Sequence, residues 1–346
     1  MELTYRTRRR LKHGILTGVG IILALVLIWT CWVVWVERYV VFTREGAIID
    51  FSLADQDPGW GQVAAPMSSQ EPVSIYYNDG DDILGLDLSL RQMRGYYITT
   101  EMLATGDLET IRAAVSALPV GSMVMMEVKN IKGHFYYSTS ITDAPLATDV
   151  DVEMVDALID DIVSRNLYFV ASTPAFRDRN YGLEHTNIGI PFVGGNGALW
   201  LDSSNCYWLD PAKNRTVDYL SKIASELRMK GFDEVLFTDF CIPDSQQIDY
   251  SGNKLTAVQN AAQNLVDNCA KDRFAVSFMA SGSTLHPVEG RSRLYLTGVE
   301  AEQIEPTIAS YAMENPAAGL VFLTDSFDTR YDACSVLRPL NLGNTQ

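Results

Sequence analysis

The sequence predicts an α/β chain folded as a TIM-like (β/α) barrel of seven to eight strands, preceded by a single N-terminal transmembrane helix. Three observations predict it. From Gly95 onward, short apolar runs alternate with longer segments of helical periodicity, and that alternation implies parallel strands joined by right-handed crossovers. The runs are apolar throughout, as in Val235-Leu236-Phe237 and Ala275-Val276-Ser277-Phe278-Met279; strands covered on both faces read this way. Residues 14–36 form 23 consecutive positions without a charge, and ~20 apolar residues suffice to cross a bilayer.

The elements follow in order. Arg6, Arg8, Arg9, Arg10 and Lys12 precede the apolar run, and only Glu37 and Arg38 follow it closely. The positive-inside rule makes 1–13 a cytoplasmic tail, 14–36 the membrane span and everything after it extracytoplasmic, anchored to the cell membrane. Trp29, Trp32 and Trp35 fit the outer interfacial belt. The run is longer than a signal-peptide core and no small-x-small site follows it, which selects an uncleaved anchor. Residues 37–90 then hold juxtamembrane strands and a linker. Within them, 40–51 reads as a hairpin around Arg44-Glu45-Gly46, 52–72 as a Gln/Pro/Ser/Gly/Ala-rich linker, and 73–77 as a further strand. The Asn78–Asp82 cluster lacks the spacing of a calcium loop and reads as a solvated turn.

Residues 91–346 supply the ~250 residues a barrel needs. Strands are expected at 95–100, 122–129, 167–173, 234–240, 274–279, 294–297 and 319–324, with helices at 108–117, 151–165, 213–230, 254–272 and 302–313. On the 213–230 helix, Val217, Leu220, Ala224 and Leu227 recur at helical spacing, and Gly231 stops it. The strand at 234–240 should lie between 167–173 and 274–279. The eighth strand is either 73–77 or absent, leaving the barrel incomplete. The long segment 177–210, with Gly194-Gly195-Asn196-Gly197 and several aromatics, has the length of a functional loop.

Composition narrows the function. The 346 residues are 47% hydrophobic and 20% charged, an ordinary globular balance. Six of the 27 basic and two of the 43 acidic residues fall in 1–38, leaving 21 and 41, a net of −20. Such an acidic ectodomain argues against nucleic acid or anionic lipid as a bulk electrostatic partner. Cys31 lies in the membrane span; Cys206, Cys241, Cys269 and Cys334 allow three complete pairings, which the sequence leaves open. No C-x-x-C occurs, and His13, His134, His185 and His286 are scattered, so neither a metal site nor a cofactor is expected. No G-x-S-x-G, H-E-x-x-H or phosphate loop is present.

Motifs in three places resemble a glycosyl hydrolase-like barrel family found in bacterial membrane-anchored and secreted proteins. Trp208, Asp210, Pro211, Asp218, Tyr219, Gly231, Phe232, Asp233, Glu234, Phe237 and Pro243 match one stretch of its pattern. Val124 to Asn130 matches a strand ending in an acid and a lysine, and Phe176-Arg177-Asp178 matches a short motif after the next strand. The resemblance implies a glycosidase-like barrel at the bacterial envelope, with carbohydrate or an envelope polymer as partner. The chain departs from the pattern at Glu127, where the family has Asp, and at Ser172, Thr238, Cys241 and Met279, where it has polar or charged groups. Those departures predict weak or no hydrolase activity.

Glycoside hydrolysis uses two carboxylates across the scissile bond. Glu101, Glu127, Asp178, Asp239 and Asp325 stand at predicted strand ends, and Glu127, Asp239 and Asp325 are the catalytic candidates. Glu127 and Lys129 share a face with Met125, so either a site element or a buried ion pair is expected there. Simple alternation aims Asp239 away from the lumen unless a bulge intervenes. Asp325 is well placed, unless it only caps a turn. Lys129, Asp178, Trp200, Trp208 and Asp210 are the substrate-binding candidates. The tryptophans, with Phe192 and Tyr207, either stack on sugar rings or form a small satellite core. An active glycoside hydrolase and a non-catalytic scaffold presenting the 182–210 loop to a protein partner are the competing readings.

Overall fold

Eight parallel strands close on one another in the second of two compact units, Tyr76–Gln346. They are β1 (Arg94–Ile98), β2 (Met123–Glu127), β3 (Tyr168–Pro174), β4 (Glu234–Thr238), β5 (Ala275–Met279), β6 (Leu294–Thr297), β7 (Leu320–Leu323) and β8 (Ser335–Pro339). Neighbours in sequence are neighbours in space, and β8 closes the ring against β1 with Leu337 opposite Gly95. β4 sits between β3 and β5, as expected. The helices are α1 (Thr100–Thr105), α2 (Leu108–Ser116), α3 (Val152–Ser164), α4 (Arg179–Glu184), α5 (Asn214–Met229), α6 (Lys254–Cys269), α7 (Ile304–Tyr311) and α8 (Pro316–Gly319).

This computed structural model describes Trp29, the backbone of 40–43 and 46–49, and residues 89–142, 144–280 and 285–342. In the first unit, Met1–Ile75, Val40–Thr43 pairs antiparallel with Gly46–Ile49, the hairpin expected there. The apolar run 14–36 (Trp29 apart), the linker and 73–77 lie outside the described residues. Among the described residues no helix is long and apolar enough to cross a membrane.

The expectation of seven strands with a doubtful eighth is corrected by β8. The segment Ser335-Val336-Leu337-Arg338-Pro339 completes the barrel, so 73–77 is not needed for closure. It is short, starts with a hydroxyl and ends in Arg-Pro, so it carries little strand signal of its own.

Alternate residues fill the lumen. Met123 and Met125 of β2 pack with Val170, Leu236, Tyr295, Val321 and Leu337 from the other strands. Gly95 takes its place on β1 because a Cβ there would come within 1.7 Å of the Met123 carbonyl oxygen. Residues of opposite parity face the helices in a second, larger core. Val217, Leu220, Ala224 and Leu227 of α5 are all buried in it, and Gly231 ends the helix at φ +92°.

At the N-terminal end of the lumen lies a buried polar network. Glu234 forms an ion pair with Arg293, and its oxygens also accept from the Tyr168 and Tyr295 hydroxyls, both at 2.8 Å. Arg293 donates further to the Ala318 carbonyl at 2.9 Å and the Arg91 carbonyl at 3.1 Å. A buried pair tolerates desolvation when its remaining donors and acceptors are satisfied in this way. The Glu234 matched by the family pattern therefore holds the barrel together at the end remote from the strands' C-termini.

Candidate active site at the barrel mouth

The C-terminal ends of the strands form the mouth, where barrels of this architecture carry their chemistry. β2 delivers Glu127 there, two residues beyond Met125 on the lumen face. Thr100, the first residue of α1, fixes the carboxylate. Its N–H donates to Glu127 Oε2 at 2.7 Å and its hydroxyl to the same oxygen at 3.1 Å. No hydrogen bond among the described residues engages Oε1.

Asp239 reaches the same cavity by a backbone device. β4 ends at Thr238, and the next residue adopts φ +48°. That left-handed conformation breaks the alternation which would have aimed Asp239 toward the helices. No bulge is needed, and Asp is among the few residues that enter this region readily. Thr100, Glu127, Lys129, Ser172, Thr238 and Asp239 all line one cavity of about 210 Å³. Burial pushes the Asp239 carboxyl above its ordinary value, with Arg177 pulling it down, Asp202 pushing it up and Lys129 opposing. The Arg177 guanidinium stands 3.8 Å from it. Two carboxyl groups on one cavity, one anchored by hydrogen bonds and one whose proton affinity burial raises, have the composition of an acid/base pair.

Tyr97, which the sequence did not single out, lies near enough to Asp325 and Glu127 to feel both charges. It is partly buried among the lumen residues of β1. Burial raises its phenol, and so do the charges of Asp325 and Glu127. Asp325 is exposed, two residues past the end of β7, outside the cavity shared by Glu127 and Asp239. The turn after β7 is capped instead by the Thr324 and Ser326 hydroxyls, which accept from the N–H groups of Ser326 at 3.0 Å and Asp328 at 3.2 Å. Glu101 is exposed in the first turn of α1.

The expected pairing of Glu127 with Lys129 is corrected. β2 stops at Glu127, so alternation no longer governs Lys129. Its Nζ lies 2.6 Å from Asp178 Oδ2, with both side chains fully buried. The Tyr219 hydroxyl donates to the same Asp178 oxygen at 2.9 Å, and the other oxygen caps α4 through the Tyr181 N–H at 2.9 Å. Asp178 is thus a structural hub.

The 177–210 segment folds on itself. Trp200 and Trp208 are 7% and 6% exposed, with ring centroids 6.3 Å apart. Both belong to the large core packed between the strands and the helices rather than to a separate satellite core, which leaves little ring face for a sugar to stack on. Asp202 organises the loop, accepting from Arg177 Nε at 2.6 Å, Trp208 Nε1 at 3.1 Å, and the N–H groups of Ser204 at 2.8 Å and Cys206 at 3.0 Å. Burial alone would raise its carboxyl, but these donors hold it below the ordinary value. Asp210 accepts from the Ala212 N–H at 2.9 Å just before α5 and is nearly buried. Leu183, Phe192, Val193 and Leu201 are the large apolar side chains exposed along this stretch.

The cysteines Cys206, Cys241, Cys269 and Cys334 are all free. Burial, then the Asp239 charge, pushes the Cys241 thiol up to about 11, so it stays protonated and unreactive near neutral pH. No group of three or more His, Cys, Asp or Glu side chains placed to hold a metal occurs among the described residues.

Residues 95–279, just over half of the chain, match a family described as "Putative glycosyl hydrolase domain". No curated protein matches. Solved structures similar to the chain include a hypothetical protein from Ruminiclostridium thermocellum, at 19% identity and a TM-score of 0.45, covering 52% of this chain and 96% of that one. Another is the exo-β-N-acetylglucosaminidase of Vibrio harveyi, at 10% identity and 0.44, covering 68% and 42%. A third is an α-galactosidase from Geobacillus stearothermophilus, at 10% and 0.49, covering 73% and 39%. The chain therefore spans about two fifths of the length of the last two.

Proposed function

The chain belongs to this glycosyl hydrolase family, and on that premise we propose that its barrel mouth binds a sugar of an envelope glycan and cleaves the adjoining glycosidic bond slowly. What supports the reading is the shared cavity of Glu127 and Asp239. In this mechanism Asp239, whose carboxyl burial raises above its ordinary value, gives its proton to the leaving oxygen. Glu127, held by Thr100, acts on the opposite side as base or nucleophile. The cavity of about 210 Å³ is smaller than the roughly 300–1,000 Å³ of drug-sized ligand sites, which suits a single ring. Around the pair, Ser172 and Thr238 offer hydroxyls where the resembling family carries charge or a stronger polar group. Little is therefore left to stabilise positive charge in the transition state, and slow turnover follows.

The apolar run 14–36 supports placement at the membrane, with the arginines inside and the barrel outside. Protease added to intact protoplasts should remove the barrel; a protected barrel would refute that orientation.

The activity is tested on the purified full chain with a panel of aryl glycosides and envelope-derived oligosaccharides. Glu127→Gln and Asp239→Asn should each lower turnover at least 100-fold with folding intact. Turnover indifferent to both variants would assign the chemistry elsewhere. Binding without any turnover would leave a lectin-like barrel.

A further inference from the structure

A second cavity opens at the opposite, N-terminal end of the barrel. It measures about 540 Å³, and Arg91, Arg273, Arg291 and Arg293 all line it. That concentration stands out in a chain with 43 acidic and 27 basic residues. The N-terminal face of such barrels ordinarily serves stability, and Arg293 does so through Glu234. Arg273 and Arg291 are not absorbed in that way. Arg291 donates from Nε to the Arg273 carbonyl at 2.8 Å, yet its Nη1 is buried without a hydrogen-bond partner. Neither Arg273 nor Arg291 forms a salt bridge among the described residues. Asp233, the one acid among the described residues of the cavity wall, accepts at Oδ2 from the Phe169 N–H at 2.9 Å. Its carboxyl is raised by burial, with Arg291 and Arg273 among the charges pulling it down.

A buried guanidinium nitrogen without an acceptor is costly unless something supplies one. We propose that this cavity is a phosphate-binding site in which Arg291 and Arg273 grip a tetrahedral oxyanion. The guanidinium fork presents paired donors that match phosphate oxygens. The ligand's negative charge offsets the local cationic excess. A cavity of this size also admits the ester group of a larger molecule, so free phosphate and a phosphodiester headgroup share the required chemistry. The site lies at the far end of the lumen from Glu127 and Asp239, and it stands independently of the mouth's activity.

The test is calorimetric titration of the full chain in a non-ionic detergent, at fixed ionic strength. The probes are inorganic phosphate and glycerophosphoglycerol, a soluble diester. One saturable site is expected. Arg273→Gln should weaken it at least tenfold without unfolding the protein, because the Arg273 side chain makes no hydrogen bond among the described residues. Arg291→Lys should weaken it similarly, since it replaces the fork with a point charge. Saturation by inorganic phosphate alone assigns the site to the free ion. Saturation by the diester, with or without phosphate, assigns it to an esterified headgroup. No saturation by either probe, or full affinity in Arg273→Gln, overturns the proposal.

Discussion

Lys129 Nζ stands 2.6 Å from Asp178 Oδ2, and neither side chain has exposed surface. The pair joins the end of β2 to the start of α4, with the Tyr219 hydroxyl of α5 as a third member. Charges buried to this extent are held only by one another and by the hydrogen bonds around them.

Removing one partner should therefore be severe. Lys129→Met or Asp178→Leu alone is expected to cost about 3–5 kcal/mol, read as a lower midpoint in urea unfolding. The double variant, which leaves no orphaned charge, should recover much of that loss. Strict additivity of the two single losses would show that the residues act independently.

Asp239 presents a different trade. Its left-handed backbone is the conformation that glycine adopts without a Cβ penalty. Asp239→Gly should raise stability by up to about 1 kcal/mol, the lower end of the Cβ penalty of a left-handed residue, while deleting the carboxylate. Asp239→Val, whose branched side chain resists positive φ, should lower it by about 1–2 kcal/mol. Thermal unfolding of the two variants checks the pair of signs. A stabilising valine would mean that the turn is not held as described.

Protonation gives the same residue a signature in pH. The folded state holds the Asp239 carboxyl above its ordinary 3.8, so folding favours the protonated form. Its contribution to stability is complete below the ordinary value and is lost as pH rises through the raised one. Asp239→Asn cannot ionise, so it should gain stability over the parent across that window. The gain should vanish at lower pH. Measuring the difference removes the parallel contribution of Asp233, which is raised as well. Hydrolysis should fall over the same window as the proposed acid loses its proton. A difference that is flat with pH would contradict the raised value.

Most of the barrel was legible because its strands are locally apolar and its helices locally amphipathic. Val235-Leu236-Phe237 and the stripe Val217, Leu220, Ala224, Leu227 announce themselves without tertiary information. Ser335–Pro339 does not, because what makes it a strand is the open edge of β1 that it fills. At the site, the alternation rule placed Glu127 correctly within β2 and failed one step past a strand's end. Lys129 turns to Asp178 once the strand has stopped, and Asp239 turns inward through a positive φ that no glycine signals. Trp200 and Trp208 were visible as aromatics, but residue type does not distinguish a binding platform from a packed core. Their exposure of 7% and 6% does. Tyr97 carried only its lumen-facing parity with Gly95, too little to mark it before the carboxylates were located.

Closure by β8 has a consequence for how the chain reaches its native state. The Ser335 hydroxyl accepts from the Met93 N–H across a separation of 242 residues. Until β8 arrives, β1 and β7 each keep a bare edge of unpaired peptide groups, the kind that recruits strands from other molecules. Synthesis delivers β1 before β8, so the half-made ring must wait, exposed, for its closing segment. Contacts this distant slow folding, and the delay favours aggregation of incomplete chains. The final strand thus sets the interval during which a nascent molecule depends on protection by its surroundings.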